Sequence, residues 1–166
     1  MKKIAFLALT ILLSATIKAQ ECNLFKDVDT YSKQEKLSTG FIAVNGATLT
    51  IDATKTEIDF LITTTKGDKC FDSNTSAVIL FADGKQKFTM RNNGTMNCDG
   101  DFHAVGRNTA TVVPSFLQRL TKQKIQKISI KGRDGKDIEI ILNETQQQQF
   151  FDLATCMASQ AKTLVK

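Results

Sequence analysis

The residues best suited to chemistry are crowded into one stretch, "GTMNCDGDFHAVGR", which runs from Gly94 to Arg107. It holds one cysteine, two aspartates, an asparagine and the chain's only histidine, His103. Such a set could form a catalytic site, a metal-binding loop or a turn closed by a disulfide. Each of these needs a different environment, so the surrounding elements decide among them.

A catalytic role would have to involve His103 or the aspartates Asp99 and Asp101. The chain has neither a Gly-x-Ser-x-Gly nucleophile turn nor a His-Glu-x-x-His metal-binding helix. Strand alternation in "DFHAVGR" favours a half-exposed His103, which lies on the face of the strand opposite to Phe102 and Ala104. Paired carboxylates do acid–base work in glycosidases, but close aspartates beside a glycine more often form turns. We therefore assign no catalytic residue, and a hydrolase using Asp99 and Asp101 is an alternative.

A calcium loop is the second possibility, because Asn97, Asp99 and Asp101 alternate as oxygen ligands could. The spacing departs from the EF-hand pattern, and no bidentate glutamate follows at the required distance. Zinc would need more histidine or free cysteine. The favoured interpretation is a stapled turn, with Cys98 as its anchor and Asp99-Gly100 as its bend. No cofactor is predicted.

The start of the chain, Met1 to Ala19, has the layout of a secretory signal peptide. Two lysines precede an apolar run from Ile4 to Leu13 that is too short to span a bilayer, and cleavage is expected after Ala19. Residues 20–166 then suit a single domain with no transmembrane segment. The leader carries three lysines and no acid, so its removal lowers the formal charge from +5 to +2. The predicted location is periplasmic or secreted.

An even number of cysteines in an exported chain favours disulfides over free thiols. Asp83-Gly84 suits a two-residue hairpin turn, which places Ile79 opposite Phe88 and Ala77 opposite Met90. Extending this register brings two cysteines together and leaves the other two as a second pair. The predicted bridges are Cys70 with Cys98 and Cys22 with Cys156.

The rest of the chain predicts antiparallel strands, with helices late. "FIAVNGATLTIDAT" indicates two strands joined at Asn45-Gly46, and we expect a meander from Phe41 to about Arg107. Pro114 suits the first turn of a short helix, "PSFLQRLTKQ". A second hairpin follows, in which a loop of Arg133-Asp134-Gly135 places Ile130 opposite Ile138.

The C-terminal segment from about Glu144 has an apolar stripe at helical spacing. We expect this stripe to pack on the sheet. Its members are Phe150, Leu153, Ala154, Met157, Ala161 and Leu164.

The most basic stretch of the chain carries seven cations and a single acid, Asp134. Such a patch could attract phosphate, anionic glycans or lipid headgroups. Two of the lysines share a strand face with Asp137 or Glu139, so a solvated, ion-paired face is favoured over an anion-binding patch. The cations are Arg119, Lys122, Lys124, Lys127, Lys131, Arg133 and Lys136.

Export and the lack of aromatic residues among these cations argue against nucleic acid as a partner. The chain has no Trp and one Tyr, so carbohydrate binding on aromatic platforms is also disfavoured. An apolar cavity inside a curved sheet, walled by Phe60, Ile62, Ile79 and Phe88, is compatible with the pattern. A carrier of a small apolar ligand is therefore a further alternative.

Several motifs resemble those of small exported proteins of unknown function from Bacteroidota bacteria. They are the leader ending "KAQ", then "CF", "LFADG", "NCDG" and "TKQKIQKISI", followed by a terminal helix with a cysteine. The resemblance covers roughly Phe41 to Met157 and implies an exported protein with an antiparallel sheet and a C-terminal helix. It transfers no activity and no site residues.

The sequence thus predicts a mainly β, α+β fold in one disulfide-stapled domain. The domain is either an antiparallel β-sandwich or a strongly curved sheet, with a short helix before the last hairpin and a C-terminal helix packed on the sheet. The expected function is a non-enzymatic binding or interaction module, whose partner is a protein or a component of the cell envelope.

Overall fold

The structure is a computed structural model that describes residues 22–28, 30, 33–65, 70–131 and 137–165. The predicted signal peptide lies outside the described residues, and so do Arg133, Lys136 and the loop between them. None of the helices that the structure describes is long and apolar enough to cross a membrane.

The described part of the chain is mainly β, as the sequence predicts, with ten strands and two α-helices. A short 3-10 helix over Ala161–Leu164 continues the second α-helix. In chain order the elements are β1 (Phe25–Val28), β2 (Glu35–Ser38), β3 (Ile42–Val44), β4 (Ala47–Ala53), β5 (Glu57–Thr64), β6 (Ser76–Phe81), β7 (Lys87–Arg91), β8 (Asp101–Arg107), α1 (Ser115–Leu120), β9 (Ile125–Lys131), β10 (Asp137–Ile141) and α2 (Glu144–Gln160).

The strands form two open antiparallel sheets. The first has the order β1-β2-β4-β5-β8, with β3 also paired to β4, and the second has the order β10-β9-β6-β7. The expected meander from Phe41 to Arg107 is therefore divided, because the chain forms the β6–β7 hairpin in the second sheet before it returns as β8. Each sheet has one apolar face, and two sheets can bury these faces where one continuous meander would leave its apolar face uncovered.

Both predicted hairpin registers are confirmed. Ile79 pairs with Phe88, and Ile130 pairs with Ile138. The turn after β6 is wider than the expected two residues. The Asp83 carboxylate accepts hydrogen bonds from the backbone N–H groups of Lys85 and Gln86, at 3.0 and 3.1 Å. The side chain thus satisfies amides that a tighter turn would pair across the strands.

Helix α2 packs its apolar stripe against strands of both sheets, since it contacts β3, β4 and β9. The Phe150 ring lies 5.3 Å from that of Phe60 between centroids. A capping box starts the helix: Asn143 Oδ1 accepts from the Gln146 N–H, and Gln146 Oε1 accepts from the Asn143 N–H. Gln146 Nε2 also donates to the Ala43 carbonyl at 3.0 Å, so this glutamine anchors the helix to β3.

The predicted disulfide pairing is confirmed. Cys22 is bonded to Cys156 and Cys70 to Cys98, at sequence separations of 134 and 28 residues. The first bridge ties the segment before β1 to helix α2. The second joins the segments that precede β6 and β8. Two disulfides fit a protein of an extracellular or other oxidising compartment.

Candidate functional site

The stretch from Gly94 to Arg107 begins as a turn organised by one asparagine. Asn97 Oδ1 accepts from the backbone N–H groups of Asp99 and Asp101, each at 3.3 Å. Asn97 Nδ2 donates to the carbonyl groups of Thr95 and Asp101. The neighbouring Cys98 is bonded to Cys70. This arrangement agrees with a stapled turn and leaves the Asn97 oxygen occupied by amides.

The aspartates of this turn have separate surroundings. Asp101 accepts a 2.7 Å hydrogen bond from the Thr63 hydroxyl on β5. The exposed Asp99 side chain makes no hydrogen bond to another described residue. Within the described ranges, no group of three His, Cys, Asp or Glu side chains could hold a metal ion. The described hydrogen bonds of Asn97 and Asp101 are those of a turn, and the use of Asp99 and Asp101 as an acid–base pair stays a prediction.

His103 has the half-buried strand position that alternation predicts, with Phe102 and Ala104 buried on the other face of β8. Its Nδ1 lies 2.7 Å from Asp59 Oδ2 on the adjacent strand. Its backbone N–H donates to Asn92 Oδ1 at 2.8 Å. The ring is thus oriented by a carboxylate that the sequence analysis did not single out.

Asp59 belongs to a row of four ionisable side chains on the outer face of the first sheet, in which Asp52 and Asp59 lie between Lys36 at one end and His103 at the other. Asp52 and Asp59 are direct partners in the β4–β5 ladder, and Lys36 Nζ lies 2.6 Å from Asp52 Oδ2. Burial raises the pKa of Asp59 above its usual value, against the opposing effect of the hydrogen bond from His103. No member of this row is a nucleophile such as serine or cysteine.

The basic stretch does not form one continuous patch. Lys127 pairs with Glu139 at 2.6 Å, Lys131 lies opposite Asp137, and Lys124 lines an open groove with carboxylates. For this part of the stretch the structure agrees with a solvated, ion-paired face. Arg119 and Lys122 are placed differently.

Arg119 and Lys122 line a concave site beside the first helix, which we call the α1 pocket. Its volume is about 340 Å³, within the range of roughly 300–1,000 Å³ that is usual for small-molecule sites. No carboxylate is among its lining residues, which are Phe81, Gln86, Ser115, Gln118, Arg119, Lys122 and Gln123.

Two of the α1 pocket's side chains are held in place from outside it. The Arg119 guanidinium carbon lies 4.8 Å from the centroid of the Phe88 ring, a cation–π contact that restricts the side chain. Gln118 Nε2 donates to the Val113 carbonyl at 2.8 Å, which leaves its second N–H and its Oε1 without a described partner. Arg119 and Lys122 belong to the predicted basic patch, whereas no role was predicted for the three glutamines, because glutamines in separate segments carry no recognisable spacing.

The residues expected to wall an apolar cavity are packed instead. Phe60, Ile62 and Ile79 each have no accessible surface, whereas the wall of a cavity large enough for water would stay accessible to a water-sized probe. Phe88 packs against the same core. These positions offer no room for a ligand.

No protein-family model, curated protein or solved structure matches this chain. The functional argument therefore depends on the geometry of the described side chains.

Proposed function

We propose that this protein is an exported, non-enzymatic binding module that takes a small anionic ligand in the α1 pocket. The observation that carries the proposal is the pair Arg119 and Lys122 in a concave site whose lining has no carboxylate. The two disulfides support an oxidising location, where ligands from the envelope or the medium are accessible.

The charge balance around the pocket favours an anion over a neutral ligand. Lys36 and Lys127 are neutralised by carboxylates at 2.6 Å, whereas neither Arg119 nor Lys122 forms an ion pair with a described residue. Their positive potential is therefore available to a ligand. Because both side chains are exposed, binding should weaken as ionic strength rises.

Inorganic sulfate tests the proposal directly. We expect its addition to shift the backbone amide NMR signals of Gln86 and of residues 115–123, and to leave those around His103 unchanged. The double substitution Arg119→Gln with Lys122→Gln should abolish these shifts.

The control is Lys87→Gln, which removes one positive charge outside the α1 pocket, from the face of strand β7 opposite to Phe88. It should leave the sulfate response intact. Shifts that survive the double substitution, or an absence of shifts in the unaltered protein, would overturn the proposed function.

A further inference from the structure

We infer that the ligand of the α1 pocket is an acidic saccharide residue, such as a uronic acid, rather than a bare oxyanion. This inference rests on the proposed function and adds the chemical class of the ligand. It depends on the uncharged part of the lining, which the charge argument does not use.

The first reason is the hydrogen-bonding balance of the lining. One Nε2–H of Gln118 is engaged with Val113, which leaves the second N–H and Oε1 for a ligand. The carbonyl oxygen only accepts hydrogen bonds, and a fully ionised oxyanion such as sulfate has no donor to offer it. A sugar hydroxyl supplies that donor.

Gln86, Gln123 and Ser115 extend the same argument, because amides and hydroxyls offer donors and acceptors together. A ligand with several hydroxyl groups can satisfy both kinds. The lining therefore combines cations for one anionic group with neutral partners for several hydroxyls.

The second reason is the arrangement of Arg119. Its guanidinium carbon lies 4.8 Å from the Phe88 ring centroid, a cation–π contact that helps to hold the side chain, and no hydrogen bond to a described residue engages its N–H donors. A guanidinium matches the two oxygens of a carboxylate in a bidentate contact. A uronic acid presents such a carboxylate at one end of a ring that carries hydroxyls.

The third reason is size. A cavity of about 340 Å³ has room for a single sugar ring with bridging water, and a lone oxyanion would leave most of it unfilled. Phe81 lines the α1 pocket but is only 1% exposed, so its ring offers no surface on which a sugar could stack. Recognition at this site is thus polar, consistent with a chain that has no Trp.

The test compares three probes by calorimetry and amide NMR on the disulfide-bonded protein: glucuronate, glucose and inorganic sulfate. We expect glucuronate to bind more tightly than either of the others, with shifts at the α1 pocket. Arg119→Gln should weaken glucuronate binding about tenfold, as expected for losing a charged hydrogen-bonding partner. Lys87→Gln is the matched charge control and should leave it unchanged.

Gln118→Met separates the saccharide from the oxyanion, because it removes the acceptor and keeps the charge. It should weaken glucuronate binding more than sulfate binding. Gln86→Met tests the same point from the β6–β7 turn. It does not remove the Gln118–Val113 hydrogen bond, so helix α1 is left intact.

The outcomes distinguish the two proposals. If sulfate binds and glucuronate binds no more tightly, the saccharide inference fails and the anion-binding function stands. If glucose binds as tightly as glucuronate, the need for an anionic group is refuted and the inference fails. If no probe binds at the α1 pocket, both proposals fail.

Discussion

Asp52 and Asp59 lie directly opposite each other on adjacent strands, and Oδ1 of each is buried without a hydrogen bond to any described residue. Their other oxygens are held by Lys36 at 2.6 Å and by His103 at 2.7 Å. A buried carboxylate oxygen without a donor disfavours the ionised form. Asp59, whose pKa is raised by burial, is therefore where we expect protonation and folding to be coupled.

The first prediction concerns Asp59→Asn. Burial raises the pKa of Asp59 in the folded protein above the ordinary 3.8, so the folded state holds this proton more tightly than the unfolded state does. The resulting stabilisation is complete below pH 3.8 and is lost as the pH rises through the raised pKa. Asparagine resembles the protonated form, so Asp59→Asn should increase the free energy of unfolding at pH 7 by about 1 kcal/mol.

Urea denaturation at several pH values checks this prediction. The advantage of Asp59→Asn should shrink as the pH falls towards 4, where Asp59 itself takes up a proton. Asp99→Asn, which removes an exposed carboxylate, should show a much smaller pH-dependent difference. The opposite result would be a difference in free energy of unfolding, variant minus unaltered protein, that is smaller at pH 7 than at pH 4. It would show that folding favours the ionised form of Asp59.

The second prediction concerns the contact between His103 and Asp59. His103→Ala leaves the Asp59 carboxylate without its 2.7 Å partner and should lower the free energy of unfolding by about 1–2 kcal/mol at pH 7. In an Asp59→Asn background the same substitution should cost less, because a neutral amide loses less than a carboxylate when its hydrogen-bonding partner is removed. A double-mutant cycle measures the difference. Strictly additive effects would mean that the two side chains are not coupled.

The register of the Asp52–Asp59 pair explains why sequence reasoning overlooked it. The β6–β7 hairpin has Asp83-Gly84 and the β3–β4 hairpin has Asn45-Gly46, pairs that indicate a turn and therefore a register. The β4–β5 connection is Thr54-Lys55-Thr56, and the Thr54 hydroxyl accepts hydrogen bonds from the backbone N–H groups of Thr56 and Glu57. No glycine or asparagine marks such a turn.

A register for β4 and β5 was nevertheless available from the apolar residues alone. Placing Ile51 opposite Phe60 and Leu49 opposite Ile62, as the structure does, also aligns the two aspartates on the other face. The division into two sheets had no such signal, because alternation predicts which residues face a core but not which strand is the neighbour. Strands β1 and β2 were missed because each has only four residues, with β1 exposed throughout and β2 burying a single side chain.

The third prediction compares the two disulfides. A bridge constrains the unfolded chain more when it closes a longer loop, and the loops here are 134 and 28 residues. Replacing both Cys22 and Cys156 with alanine should cost about 5 kcal/mol, and replacing Cys70 and Cys98 about 3.6 kcal/mol. Denaturant unfolding of the two double variants gives the order. A larger loss for the shorter loop would show that local packing of the stapled turn outweighs loop length.

The fourth prediction concerns Gly100, the residue that bends the stapled turn. It has a φ of 91°, and a Cβ there would lie 2.5 Å from the Thr64 carbonyl oxygen. The Thr64 N–H donates to the Gly100 carbonyl at 2.8 Å, so the two segments are fixed against each other and have little freedom to separate. Gly100→Ala therefore combines a left-handed backbone with a steric clash, and it should cost about 3 kcal/mol or more.

Gly84→Ala is the matched control for this substitution. Gly84 has a similar φ of 68°, but a Cβ at that position would meet nothing within 4 Å. Gly84→Ala should therefore lower the free energy of unfolding by only about 1 kcal/mol, the cost of a left-handed backbone for alanine. Thermal or urea unfolding of the two variants separates the clash from the backbone cost. Equal losses would mean that the loop moves away from β5 without penalty, and that the disulfide alone holds the turn in place.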